Sequence, residues 1–160
     1  IGCKGCLINF YELDEDNRAT YCRREVKRFG LAAEGVIYSD GLFTVENVRR
    51  LGERVVHDHN GALPDAVIIA ADVIAVGVLQ AFNASGVLVP RDISVISINN
   101  QMIAQLTSPP LSTFAIDQSE LARVAILTLA DAIAGKRPIR QHAYLSTSLV
   151  VRDSFVPAER

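Results

Sequence analysis

Polar side chains follow several apolar runs of the chain, at the points where strands are expected to end. Asp40 follows residues 35–39, Asp72 closely follows residues 66–70, and the adjacent amides Asn99 and Asn100 follow residues 93–98. Carboxylates and amides at such positions can hold a polar ligand through hydrogen bonds. Two adjacent amides can also simply close a turn. The residues alone leave both readings open.

Covalent and metal chemistry have weaker support in the sequence. No G-x-S-x-G, G-x-G-x-x-G or P-loop pattern occurs. Cys3 and Cys6 have C-x-x-C spacing, and His57 with His59 could complete a zinc site about fifty residues away. Buried, inert cysteines are the favoured alternative. We therefore predict no metal, no cofactor and no catalytic residue.

Composition narrows the class of protein further. The chain has 160 residues, of which 49% are hydrophobic, and a formal net charge of −2. This is a globular composition without general attraction for nucleic acid or anionic membranes. The apolar runs are too short to cross a bilayer, and three cysteines suit a reducing compartment. We predict a cytoplasmic protein with no membrane partner. The chain begins at Ile1 without Met, so it could be a fragment.

Apolar periodicity predicts strands and helices in alternation, which favours an α/β fold with a mostly parallel sheet. Thr44 and Asp72 are candidate helix caps, Asp72 for a helix that begins at Val73, and Gly30, Gly86 and Gly135 are candidate helix ends. In parallel sheets ligands bind beyond the carboxyl ends of the strands. The predicted strands cover about residues 1–6, 35–40, 66–70, 93–98, 111–116 and 143–151, and the predicted helices about 18–28, 45–59, 73–84 and 117–134.

Three stretches together resemble the LacI/GalR family of transcription regulators. They are "PDAVIIAADVIAVGVLQAFNASGVLVPRDISVISINN", "PPLSTFAIDQSELARVA" and "LSTSLVVRDSF", spanning residues 64–155 in the family's order. The resemblance implies a periplasmic-binding-protein-like (type I) effector domain that binds a small sugar in a cleft between two subdomains. It also implies a homodimer that binds operator DNA through a helix-turn-helix headpiece, which this sequence does not contain.

The resemblance also implies how the chain divides between the subdomains. Residues 1–16 and 114–136 would belong to the N-terminal subdomain, and residues 17–113 and 137–160 to the C-terminal subdomain, which forms most of the chain. Helix 118–134 would then need a sheet to cover its apolar surface. Because most of that sheet is missing here, we predict that this chain alone is poorly stable or self-associates. The apolar residues are Leu121, Val124, Ala125, Leu127, Leu129 and Ile133.

Five residues match ligand-contacting positions of the family. Arg18 corresponds to an arginine that contacts sugar hydroxyls, although its spacing alone indicates only a surface arginine. Leu42 and Phe43 lie where the family has an apolar platform, and Asp72 and Asn99 match rim acids. Asn100 matches the second of two paired acids. Amides replace both acids, Ala71 replaces an asparagine and Ser97 a glycine, so the identity of the ligand is open.

The sequence therefore predicts a non-enzymatic, ligand-sensing core of a bacterial repressor. The alternatives are an exported sugar-binding protein of a transport system and, in a different class, a flavodoxin-like α/β enzyme. A headpiece upstream would distinguish the regulator from the transport protein, for which a secretion signal is expected. A bound coloured cofactor would favour the enzyme.

Overall fold

The computed structural model describes residues 5–8, 17–30, 37–38, 44–59, 62–136 and 144–157. Its strands are β1 (Gly5–Ile8), β2 (Ile37–Tyr38), β3 (Ala66–Ile69), β4 (Ser94–Asn99), β5 (Ser112–Ile116) and β6 (Thr147–Val150). Its helices are α1 (Asn17–Arg28), α2 (Val45–Asp58), α3 (Asp72–Ala84), α4 (Ile103–Leu106) and α5 (Gln118–Ile133). The short helix α4 is the one described element that the sequence analysis missed.

The six strands form one sheet in the order β2-β1-β3-β4-β5-β6. Neighbours from β2 to β5 pair in parallel, and β6 pairs antiparallel with β5. This confirms the predicted α/β class with a mostly parallel sheet. Since β3 and β4 are parallel, their carboxyl ends lie at the same edge of the sheet. That edge carries Asp72 and Asn99.

Strand β1 lies between β2 and β3 in the sheet. It pairs with β2 on one side and with β3 on the other, so it lies in the same sheet as the strands between residues 37 and 116. A right-handed strand–helix–strand crossover explains this, because it places consecutive parallel strands in one sheet. The predicted boundary at residue 114 lies within β5, which runs from Ser112 to Ile116, and the division into two subdomains stays a prediction.

The core lies between the sheet and the helix pair α2 and α3. The largest side chains with no exposed surface include Leu51 of α2, Ile74 and Phe82 of α3, and Ile69 of β3. Thr44 caps α2 as predicted, because its side chain accepts a hydrogen bond from the Asn47 N–H at 3.2 Å. Val48, Leu51 and Val55 of α2 face this core, whereas Val45 in the first turn is 73% exposed.

Two glycines allow α2 and α3 to approach closely. A Cβ atom on Gly77 would lie 2.5 Å from Cγ1 of Val48, and one on Gly52 would lie 2.7 Å from Cβ of Ala81. Real Cβ atoms essentially never come so close to another heavy atom. Both positions therefore need glycine for packing. Glycine lowers helix propensity, but this cost offsets only part of what the close packing contributes.

We expect Gly77→Ala to lower the free energy of unfolding by about 1–3 kcal/mol, because the added methyl group overpacks the α2–α3 contact. Chemical denaturation measures this change. Gln80→Ala, at an exposed position of the same helix, is the matched control and should change stability by less than about 0.5 kcal/mol. Equal stability of the two variants would contradict the packing argument.

Helix α5 has no buried residue, in contrast to α2 and α3. Its side chains Leu121, Leu127, Leu129 and Ile133 are between 50% and 79% exposed. Asp117 caps the helix by accepting a hydrogen bond from the Glu120 N–H at 2.9 Å, and Gly135 follows it at φ +69°. No described residue covers the apolar surface that the sequence pattern predicted. No helix in the described part of the chain is long and apolar enough to cross a membrane.

Candidate functional site

Asp72 lies at the centre of a buried hydrogen-bond network at the carboxyl edge of the sheet. The Ser97 and Thr113 hydroxyls donate to its Oδ1 atom at 2.5 and 2.8 Å, and the Gln101 N–H donates to its Oδ2 atom at 2.6 Å. The residue has no exposed surface. A buried carboxylate is costly unless such donors surround it. Asp72 thereby joins α3 to β4, β5 and the loop after β4.

This geometry corrects the predicted role of Asp72 in α3. The sequence analysis suggested that its carboxylate caps a helix beginning at Val73. The helix instead begins at Asp72 itself, and its N-cap residue Ala71 makes no side-chain cap bond. The carboxylate turns toward β4 and β5 because two hydroxyl donors lie there. Ser97, which looked like a mild replacement for a family glycine, supplies one of them.

The backbone after β4 forms a strained turn, which we call the rim turn (residues 99–102). Asn99 has φ +109° and Asn100 has φ +53°. Such values are uncommon for residues other than glycine, and each costs on the order of 1–3 kcal/mol. Two hydrogen bonds hold the turn, from the Asn100 N–H to Thr113 Oγ1 at 3.2 Å and from the Gln101 N–H to Asp72. The network therefore fixes the backbone of the rim.

The two adjacent amides have different surroundings. Oδ1 of Asn100 accepts a hydrogen bond from Nη2 of Arg152 at 2.8 Å. Asn99 and Asn100 both line a cleft of about 500 Å³, which the rim turn shares with Ile116 and residues 117–119. The cleft is thus bordered by the end of β4 on one side and by the start of α5 on the other.

A second cavity, of about 520 Å³, lies beside the first. Residues 115–117, Glu120 and residues 144–148 line it. Two hydrogen bonds from Arg123, at 2.6 and 2.7 Å, lower the pKa of the Glu120 carboxyl below its ordinary value, and partial burial opposes them. Glu120 is therefore a carboxylate at neutral pH, held by its own helix.

The structure brings together two of the five predicted ligand residues, Asp72 and Asn99, at one edge of the sheet. Arg18 is the second residue of α1, and its side chain lies outside the described part of the structure, as do Leu42 and Phe43. The internal donors already occupy both oxygens of Asp72. Direct ligand contact by these residues stays a prediction.

The alternative zinc site gains no support from the described residues. No group of three or more metal-ligating side chains occurs among them. Nδ1 of His59 lies 2.9 Å from the Val55 carbonyl oxygen, and Nδ1 of His57 lies 3.2 Å from an Asp58 carboxylate oxygen. Cys3 and the side chain of Cys6 are outside the described residues.

Sequence reasoning missed most of the residues that hold the rim. Ser97, Thr113 and Arg152 lie in the quoted stretches, but no role was assigned to them. Ser154 was also assigned no role, although it joins β4 to β5 away from the rim: its buried hydroxyl donates to the Val95 carbonyl at 2.6 Å and accepts from the Ser112 N–H at 2.8 Å. A usable signal was present, since hydroxyl residues inside apolar strands generally need a partner.

We expect Asp72→Asn to lower the free energy of unfolding by about 1.5–3 kcal/mol. If the amide oxygen introduced at position 72 still accepts from the Ser97 and Thr113 hydroxyls, the NH₂ group of that amide points at the Gln101 N–H. Two donors then face each other, and that hydrogen bond is lost. Chemical denaturation measures the loss. Asp131→Asn removes an exposed carboxylate that pairs with Lys136, and this control should cost less than about 1 kcal/mol. An equally small effect at Asp72 would contradict the proposed network energetics.

The family model of the periplasmic binding protein-like domain matches residues 8–155. The chain belongs to this family, and within it to the effector-binding type found in LacI/GalR transcription regulators. The transcriptional regulator LacR of Lactobacillus helveticus is 46% identical over 123 residues, which are 76% of this chain and 36% of LacR. The chain therefore spans little more than a third of this relative.

Solved structures share the fold of this chain. A complex of the transcriptional regulator CelR with cellobiose superposes with a TM-score of 0.84 at 21% identity, over 96% of this chain and 47% of CelR. The lac repressor dimer bound to operator and the anti-inducer ONPF superposes with a TM-score of 0.81 at 20% identity, over 98% of this chain and 54% of the repressor chain. At these identities the likeness shows the fold.

Proposed function

We propose that this chain is the effector-sensing core of a bacterial LacI-type transcription regulator. The observation that carries the proposal is the cleft between the rim turn and the start of α5, at the carboxyl edge of the parallel sheet. A strained rim turn held by a buried carboxylate offers a preorganised surface to a ligand. LacR, the relative with 46% identity, is a transcriptional regulator.

We infer that the effector is a small sugar. Asn99, Gln101, Gln118 and Ser119 line the cleft, and their side chains both donate and accept hydrogen bonds, as sugar hydroxyls do. CelR, which shares the fold, has been solved with cellobiose. Arg18, Leu42, Phe43, Asp72 and Asn99 are the proposed ligand residues, with Asp72 also positioning the rim.

The proposed mechanism is differential binding, in which no bond is made or broken. A sugar that binds better to one arrangement of two subdomains shifts the population toward it, and this changes the affinity for operator DNA by linkage. Operator contact would use a headpiece outside this chain. A homodimer in the cytoplasm is the proposed working state, supported by the lac repressor, which has been solved as a dimer on its operator.

A thermal-shift screen of the intact protein against neutral sugars, with the corresponding phosphosugars in parallel, tests the proposal. A sugar at one hundred times its Kd should stabilise the folded protein by about 2.7 kcal/mol. The same sugar should change operator affinity in a gel-shift assay. If no sugar moves the melting temperature, the sensing function loses its support.

We expect Asn99→Gly to separate stability from function. Glycine relieves the backbone strain at φ +109°, so the free energy of unfolding should rise by about 1 kcal/mol after the entropy cost of glycine. Loss of the amide should weaken binding of the sugar found in the screen by about tenfold. Denaturation and titration calorimetry measure the two effects.

Asn99→Ala is the matched control for this variant. It removes the same amide but keeps a Cβ atom at the strained position, so binding should weaken without the gain in stability. Unchanged sugar affinity in both variants would remove Asn99 from the ligand site.

A further inference from the structure

Arg152 occupies a fixed position between the segment that follows β6 and the rim turn. Its backbone N–H donates to the Ser112 hydroxyl at 2.8 Å, and that hydroxyl lies 3.0 Å from the Arg152 carbonyl oxygen. Nη1 of its guanidinium donates to the Leu111 carbonyl at 2.6 Å, and Nη2 donates to Oδ1 of Asn100 at 2.8 Å. The arginine is thus anchored to the start of β5 before it reaches the rim.

We propose that Arg152 is a positioning residue that sets the conformation of the rim turn by holding the Asn100 side chain. In this proposal the Asn100 side chain stabilises the rim turn, and the Asn99 side chain binds the ligand. The link between Arg152 and the rim turn stands on the geometry alone. Its consequence for ligand binding rests on the proposed sensing function.

The conformation of Asn100 shows why this contact matters. At φ +53° the residue is left-handed, a conformation that asparagine and aspartate tolerate better than other residues with a Cβ atom. Its N–H is held by Thr113 on one side, and its side chain is held by Arg152 on the other. The two contacts together fix both the backbone and the amide plane at this position.

The chemistry of the contact predicts how it can be strengthened. In the hydrogen bond between the guanidinium and the neutral amide oxygen, only one partner is charged. With a carboxylate as acceptor both partners would be charged, and the hydrogen bond would be shorter and stronger. No described carboxylate pairs with Arg152, which donates instead to the Leu111 carbonyl and the Asn100 amide. Aspartate at position 100 should therefore stabilise the protein through Arg152, although it adds a negative charge close to the buried Asp72.

A double-mutant cycle in the intact protein tests this coupling. Asn100→Asp should raise Tm by about 2–4 °C in the otherwise unchanged protein, as expected for a new charge-assisted bond. In an Arg152→Met background the same substitution should give no rise, or a fall, because the carboxylate has lost its partner. Additive Tm shifts, with the same change in both backgrounds, would overturn the proposal.

If Arg152→Met does not fold, the single substitutions at Asn100 still decide the matter. Asn100→Asp should raise Tm and Asn100→Ser should lower it, since serine is too short to reach the guanidinium. A fall in Tm with aspartate would overturn the proposal. Ser119→Ala, at an exposed cleft position outside this contact, is the control and should leave Tm nearly unchanged.

Hydrogen exchange distinguishes positioning of the rim from general stabilisation. In Arg152→Met the amides of Asn100 and Gln101 should exchange about tenfold faster, while those of β3 keep their protection. Uniformly faster exchange would show a merely structural role and overturn the proposal.

Cellobiose, and any sugar that shifts the melting of the unchanged protein, is then titrated onto Asn100→Asp. Affinity within about threefold of the original is expected, because Oδ1 of Asn100 is bonded to Arg152 and the proposed ligand amide is that of Asn99. A loss of tenfold or more would place Asn100 in the ligand site and overturn the division between the two amides. If no sugar binds the unchanged protein, the proposed function fails while the Tm cycle and the exchange result still judge the role of Arg152.

Discussion

The carboxylate of Asp72 is the interaction on which the site depends. It is fully buried, and three donors from β4, β5 and the loop after β4 converge on it. Since an unsatisfied carboxylate in the core would be very unfavourable, these elements must keep their relative positions whenever the protein is folded. The polar group thus specifies geometry, while the apolar contacts of α2 and α3 supply the main driving force for folding.

The buried network also fixes the backbone of the rim turn, which lines the cleft. Two successive asparagines adopt positive φ angles, a conformation that an isolated peptide would avoid. Hydrogen bonds to Thr113, Asp72 and Arg152 offset the strain. Arg152 lies 52 positions after Asn100 in the sequence, so residues distant in the sequence hold the four residues of the rim turn. Local strain at the rim is stabilised by long-range contacts.

The sequence predicted the alternation of strands and helices well, because caps such as Thr44 and glycines such as Gly86 act locally. It also predicted that Asp72 and Asn99 share an edge, since that follows from parallel strands. It did not predict which way the Asp72 side chain turns, because its donors come from residues 25 to 41 positions away. The close approach of α2 and α3, which depends on Gly52 and Gly77, was not predicted either, because apolar spacing does not reveal the partner of a helix.

The division between the paired amides has an evolutionary consequence. The backbone of the rim is determined by hydrogen bonds within the protein, from hydroxyls, a buried carboxylate and an arginine. Position 99 can therefore change its side chain without disturbing these contacts, among the residues that tolerate a positive φ angle. A scaffold of this kind lets new specificities arise by single substitutions at the rim, without a matching change in the core.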